Sequence, residues 1–248
     1  AALEAMPEGC VPLSIYGSKE NMLRLLLSLY GERFVDWEAG TCAFESQEFK
    51  DLLAFCASLP DQGPEGGDAA ALVSGRQMLC EWQITDFYDV QEKSYLLGGP
   101  VTFVGCPNPW GEVGSALFLT NSLAMSSGCA HKAGAWAFLR ELLLPRGDGA
   151  VSTPYFPTNR ADFQRVAEAA MTPERGDSSG KEVSTRGESF GVVDGVELGY
   201  KRYAVTQAEY DQIMALYNAI DLAYRENRDL NGIVISAAGA YFAGDKSL

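Results

Sequence analysis

Much of the chain repeats its apolar residues every three or four positions, the period of a helix that buries one face. Ser18 suits the N-cap of a helix over Lys19–Tyr30 that stops at Gly31. Ser46 suits the cap of the next, whose Phe49, Leu52, Leu53 and Cys56 fall at i, i+3, i+4, i+7. Thr85 is placed to cap a helix from Asp86 to about Leu97, closed by Gly98-Gly99-Pro100. Lys132–Leu144 carries Trp136, Leu139 and Leu143 on one side, widened by Ala135, Phe138 and Leu142. Asn159 precedes a helix with Phe163, Val166, Ala167 and Ala170 inward, ended by Met171-Thr172-Pro173-Glu174. Thr206-Gln207-Ala208-Glu209 has the spacing of a capping box and opens a helix with Ile213, Met214, Tyr217 and Ile220 along one side. A last helix spans about Leu230–Phe242 and ends at Gly244.

Strand signals are shorter. Gln77–Ile84 and Val101–Val104 read as strands, as does Ala116–Thr120 leading into Leu123–Met125. Phe34–Trp37 and Cys42–Phe44 flank Glu38-Ala39-Gly40 as a short hairpin or an extended excursion. Pro60 to Asp68 is a Gly/Pro/acid linker, Ala69–Ser74 a helical turn, and Arg175 to Gly199 an exposed loop or ragged hairpin. The stretch from Val101 to Leu144 combines strand, Pro107-Asn108-Pro109 crossing, Trp110, strand and helix, a plausible wall of a cleft.

Bulk properties narrow the function. With 248 residues, 47% hydrophobic and 21% charged, the chain can bury a sizeable core in one large domain or two lobes. Its net charge of −14 repels phosphate backbones, which argues against nucleic-acid binding. No apolar run approaches the roughly 18–20 residues of a membrane span. The six cysteines are irregularly spaced without a Cys-x-x-Cys pair, and there is one histidine, so no metal or other cofactor is expected. Buried thiols are the expected state of the cysteines.

One catalytic pattern occurs. Gly187-Glu188-Ser189-Phe190-Gly191 matches the nucleophile elbow, which needs a strand before the serine, a helix after it and a later histidine. Val192–Leu198 does not read as a helix, and His131 lies upstream of the serine. A carbohydrate-active hydrolase is therefore the weaker reading, as is an interaction module that binds no ligand. Gly63-Pro64-Glu65-Gly66-Gly67 and the segment Gly176–Gly180 lack the features of a phosphate-cradling loop.

The order of Gly105, Pro107, Gly111, Ala124, Ser126, Ser127 and then Lys132-x-Gly134-Ala135-Trp136-x-Phe138-Leu139 resembles the extracellular solute-binding proteins of ABC transporters. The closest likeness is to the carbohydrate-binding type, family 1. Phe34-Val35-Asp36 before Phe44-Glu45-Ser46-Gln47-Glu48-Phe49, Pro157-Thr158-Asn159 before Ala170-Met171-Thr172-Pro173-Glu174, and Tyr241-Phe242-Ala243-Gly244-Asp245-Lys246-Ser247 fit the same family. The resemblance implies an α/β, bilobal fold of the periplasmic-binding-protein-like type II, with the first part of the N-terminal lobe missing. Residues 1–103 would start the C-terminal lobe, 104–175 would make the return visit to the N-terminal lobe, and 176–248 would finish the C-terminal lobe. Relatives carry a leader with a lipid-attachment cysteine, so the implied location is extracellular, on the cell surface, with the membrane reached only through that anchor. The implied activity is capture of a sugar or oligosaccharide for a membrane permease, without catalysis. A chain lacking the first stretch would present half a cleft and bind sugar weakly or not at all.

Sugar rings stack on aromatic planes while carboxylates, amides and guanidinium groups take the hydroxyls. On loops or strand ends the candidates are Trp110, Trp82 and Tyr155, with Asp86, Asn108 and Glu112 close by in sequence. Trp110 leads because the Pro-x-Pro path disfavours a buried strand position. Trp37 and Trp136 are expected in the core.

Overall fold

The computed structural model describes residues 10–13, 15–62, 68–106, 108, 110–111, 113–119, 122–144, 155–173, 186–193 and 196–247. In chain order the elements are α1 (Lys19–Tyr30), β1 (Val35–Asp36), β2 (Thr41–Cys42), α2 (Gln47–Ala57), α3 (Asp68–Val73), α4 (Asp89–Leu96), β3 (Ser115–Leu117) and α5 (Lys132–Leu143). They continue with α6 (Arg160–Met171), β4 (Arg186–Val193), β5 (Val196–Arg202), α7 (Gln207–Asn218), β6 (Ile220–Ala223) and α8 (Arg228–Phe242). The fold mixes helix and sheet, with helix predominant.

The chain forms two compact units. The first comprises Ala1–Trp82, Val104–Phe118 and Ile220–Leu248, and the second Gln83–Phe103 and Leu119–Ala219. The backbone thus passes from one unit to the other at 82/83, 103/104, 118/119 and 219/220. Of the boundaries expected from sequence, 103/104 falls on such a passage and 175/176 lies inside the second unit. Residues 104–118 of the expected return segment belong to the first unit and residues 119–175 to the second.

The first unit is built on α1, whose run of leucines buries Met22, Leu23, Leu25, Leu26, Leu27 and Tyr30. The i, i+3, i+4, i+7 face of α2 supplies Phe49, Leu52, Leu53 and Cys56, and α8 supplies Val234 and Ala238. Each leucine withdrawn from water contributes about 1.5–3 kcal/mol, so this cluster dominates the unit's stability. Asn231 of α8 is buried, and its amide donates to Ser28 Oγ at 3.2 Å, while that hydroxyl donates to the Arg24 carbonyl at 2.9 Å. A buried amide without such a partner would cost the unit stability, so the pair fixes α8 on α1. β3 and β6 pair in parallel, Ala116 opposite Leu222 and Leu117 opposite Ala223, with Phe118 and Tyr224 stacked 4.1 Å apart just beyond. β1 and β2 form a hairpin, Val35 opposite Cys42 and Asp36 opposite Thr41.

The second unit is centred on Phe87. Its ring lies 5.0 Å from Phe156, 5.3 Å from Phe163 and 5.6 Å from Tyr210. Val90 of α4, Ala167 and Ala170 of α6, Val205, and Ile213 of α7 complete the cluster. α6 therefore shares a core with α4 and α7. β4 and β5 form an antiparallel hairpin with one register irregularity between Ser189 and Gly191.

Several expectations are corrected. Gln77–Ile84 forms no strand: Gln77 makes a single bridge to Val11, and beyond it Met78 N–H donates to the Val11 carbonyl at 3.1 Å and Leu79 N–H to the Pro12 carbonyl at 2.9 Å, without a regular ladder. Val101–Val104 is extended but unpaired as a strand, and the Val101 carbonyl accepts instead from the Gln212 side chain at 2.7 Å. The strand at Ala116 stops at Leu117, and Leu123–Met125 is irregular. Ile220 lies in β6 rather than on the α7 face. Of the two readings of the segment 175–199, loop or ragged hairpin, its described part follows the second, as the β4–β5 hairpin with its register irregularity. Among the cysteines only Cys56 is fully buried, with its thiol pushed by burial up to about 12, and Cys42 is exposed. The segment Gly176–Gly180 and most of the Pro60–Asp68 linker lie outside the described residues. No helix among those described is long and apolar enough to cross a membrane.

Candidate functional site

The two ends of the segment from Gly105 to Gly114 are held together by a close backbone approach. Cys106 N–H donates to the Gly114 carbonyl at 2.9 Å. A Cβ on Gly105 would stand 1.7 Å from the Val113 carbonyl oxygen, and one on Gly114 would stand 2.2 Å from that of Cys106. Gly114 also sits at φ +72, a region that L side chains rarely adopt. Asp221 of β6 secures the return end, its carboxylate accepting from Val113 N–H at 2.9 Å and Gly114 N–H at 3.4 Å.

Inside this loop Asn108 is a positioning residue. Its amide donates to Tyr30 Oη at 3.2 Å and to the Cys106 carbonyl at 3.3 Å, and its oxygen accepts from Trp110 N–H at 3.0 Å. Tyr30 Oη in turn donates to the Cys106 carbonyl at 3.1 Å. Trp110 is thereby half-buried against the first core, 4.9 Å from Tyr30 and 6.4 Å from Phe34 between ring centroids. The Arg33 guanidinium lies 4.3 Å over its ring and its indole N–H donates to the Glu48 carboxylate. Much of the indole's surface and its one donor are already engaged inside the unit. Glu112 and the two prolines of the crossing lie outside the described residues.

Asp86 and Tyr155 belong to the second unit, and Trp82 ends the first of the three segments of the first unit. Trp82 is 44% and Tyr155 39% exposed. Asp86 is half-buried and accepts from Tyr88 N–H at 2.7 Å, while the neighbouring Asp89 accepts from Thr85 N–H at 2.5 Å and Asp86 N–H at 3.0 Å. α4 starts three residues later than the sequence pattern implied: Tyr88 stands at the N-cap without a side-chain bond, and Asp89, the first helical residue, reaches back to the N–H groups of Thr85 and Asp86. Burial, and then the charge of Asp89, push the Asp86 carboxyl above the usual range, and Tyr88 N–H and Arg202 oppose this only in part. Burial likewise raises Asp89. Of the six sugar-site candidates, the first unit brings Trp110 and Asn108 into direct contact.

A concave site that pattern reasoning missed sits on the β1–β2 hairpin. A cavity of about 460 Å³ is lined by residues 32–38 and 41–43, including Phe34, Asp36 and Trp37. Trp37, expected in the core, is 59% exposed. A signal was available in the spacing Asp36-Trp37-Glu38-Ala39-Gly40, since Trp37 stands beside the turn residues and falls in the turn between β1 and β2.

Neither a protein-family model nor a curated protein sequence matches the chain. The chemistry must be read from the residues alone.

Ser189 lies within β4, its backbone opposite Gly199 of β5, and the strand continues to Val193. The sharp strand-to-helix turn that exposes a nucleophilic serine is absent at this position. His131 is exposed at the N-terminus of α5 without a side-chain capping bond. Among the described residues no group of three or more His, Cys, Asp or Glu is arranged to hold a metal ion.

Proposed function

We propose that the chain is part of the solute-binding receptor of an ABC importer, of the carbohydrate-binding type, with a sugar or oligosaccharide held between two α/β lobes. The observation that carries this reading is the path of the chain: two compact units, each with its own core, traversed four times by one backbone. Receptors that close on a ligand need several crossings, since a hinge of more than one strand restricts motion to opening and closing. Helix α5 gives further support. None of its residues is buried, although Trp136 is 53% and Phe138 66% exposed, with Leu142 and Leu143 beside them in the same state. A single monomer rarely leaves so large an apolar face in water. In this reading the face packs on the first stretch of the N-terminal lobe, which the resemblance places ahead of Ala1.

The receptor works without bond chemistry and without a cofactor. Binding energy goes into closure, and the closed surface is what the two membrane permease subunits recognise. The protein acts outside the cell, tethered through a lipid anchor on the preceding segment. Melting the chain against a panel of sugars tests the binding step. Sugars stabilise any protein by exclusion from its surface, so each sugar is compared with its epimers at equal concentration. A midpoint raised by one sugar and not by its epimers is expected, since a specific ligand at 100 times its dissociation constant adds about 2.7 kcal/mol. Identical curves for every epimer pair would overturn binding by this chain.

A further inference from the structure

We infer that the β1–β2 hairpin carries an accessory saccharide-binding platform built on Trp37, independent of any cleft between lobes. The hairpin lies wholly within the first unit, so the inference does not rest on the receptor reading. Its backbone is fixed from both ends. Asp36 Oδ1 accepts from Glu38 N–H at 3.0 Å and Ala39 N–H at 2.9 Å, Gly40 turns at φ +65, and Ala43 N–H returns to the Phe34 carbonyl at 2.8 Å. Phe34 is buried under the hairpin against Phe49, with ring centroids 5.1 Å apart, so the base of the cavity is anchored in the core. Trp37 is left more than half exposed on the wall of a cavity of about 460 Å³, within the usual range for small-molecule sites.

The surrounding groups select the ligand class. Thr41 offers a hydroxyl, and the carboxylates of Asp36 and Glu38 are in no ion pair among the described residues. The second oxygen of Asp36 accepts no protein hydrogen bond there either. Acceptors lining the same cavity as an exposed indole suit a pyranose, whose C–H face stacks on the ring while its hydroxyls donate outward. A quaternary ammonium ligand is the competing chemistry for an aromatic ring beside acids, but it is held by several ring faces at once. Here Phe34 is buried, and Trp37 is the one largely exposed aromatic among the residues that line the cavity. The pyranose is therefore the ligand the site fits.

The full chain, labelled with 5-fluorotryptophan, has four indole resonances that can be assigned by single Trp→Phe variants and followed by ¹⁹F NMR. Methyl β-glucoside, methyl α-glucoside and maltose are the probes, with choline as the cationic control. At least one sugar should move the Trp37 resonance saturably, and Glu38→Gln should weaken that sugar's binding several-fold with an unchanged melting midpoint. Trp37→Leu should abolish saturable binding at this site, judged by saturation-transfer difference signals on the sugar. A Trp37 resonance that no sugar moves, or that only choline moves, overturns the platform. Sugar-dependent shifts of Trp82 or Trp110 with Trp37 still would also overturn it while supporting the receptor. Movement of Trp37 alone would support the platform and leave the receptor reading to its epimer test.

Discussion

Single residues here divide between those that hold the fold and those left open to water. Asn108 and Trp110 are of the first kind. Every polar atom of the Asn108 amide is bonded to Tyr30, Cys106 or Trp110, so its contribution to any ligand would pass through the loop it shapes. Asp86 shows how burial sets pH behaviour. In the fold its carboxyl titrates above its ordinary 3.8, chiefly because burial penalises the charged form. The folded chain therefore keeps that proton at pH values where the unfolded chain has lost it. Its stabilising effect is complete below 3.8 and disappears as pH rises through the folded value. Asp86→Asn retains an acceptor for Tyr88 N–H and cannot ionise. Relative to the parent, this variant should gain stability as pH is raised from 3.8 through the folded value, read as the difference between two urea denaturation series. A difference that stays flat across that interval would show that burial does not perturb this carboxyl.

At the scale of elements, caps and periodicity carried the helices. Ser46, Asn159 and Thr206 each accept a backbone N–H at the first turn of α2, α6 and α7, and the capping box at Thr206 and Glu209 is closed in both directions. Ser18 stands at the N-cap of α1 without a side-chain bond, and Gly31 follows as a 3₁₀ turn at φ −58 rather than a left-handed stop. The loop from Gly105 to Gly114 depends on a different kind of constraint. Gly114→Ala places a methyl group on the Cys106 carbonyl at a positive φ, and should cost about 2–3 kcal/mol in chemical denaturation. Gly99, whose added Cβ would meet nothing within 4 Å, is the control, and Gly99→Ala should change stability by much less. Equal costs for the two would remove the loop's claim to a close backbone contact. The short strands β1, β2, β3 and β6 were less legible than the helices because runs of two to four residues have too little period to register, and pairing can depend on a partner far along the chain. β3 shows this, since its partner β6 lies about a hundred residues later.

For the molecule as a whole, the two clusters around α1 and around Phe87 are the decisive feature. Leu53 belongs to one and Phe87 to the other, and each is almost fully buried. Leu53→Ala should cost about 2–5 kcal/mol and Phe87→Ala about 3–5 kcal/mol, each within its own unit. Hydrogen exchange should then localise the damage: amides of α1, α2 and α8 lose protection in the first variant, and those of α4, α6 and α7 in the second. Loss of protection spread evenly over both sets by either change would mean a single cooperative body.

The sequence alone determined that most of the helices exist and which of their faces are apolar, and it placed the starts of α2, α6 and α7 at their caps, because capping and a 3.6-residue period act over a few neighbours. It also excluded a long apolar helix and disfavoured nucleic acid, since those follow from composition. Tertiary structure decided what covers each face. It placed α6 in the same core as α4 and α7, left the apolar side of α5 in water, drew Trp110 onto Tyr30 and Phe34, and pushed Trp37 out beside a cavity. A tryptophan reads the same in either setting. Whether it is buried depends on which distant segment arrives to pack on it, and that is fixed by long-range contacts between residues the pattern cannot pair.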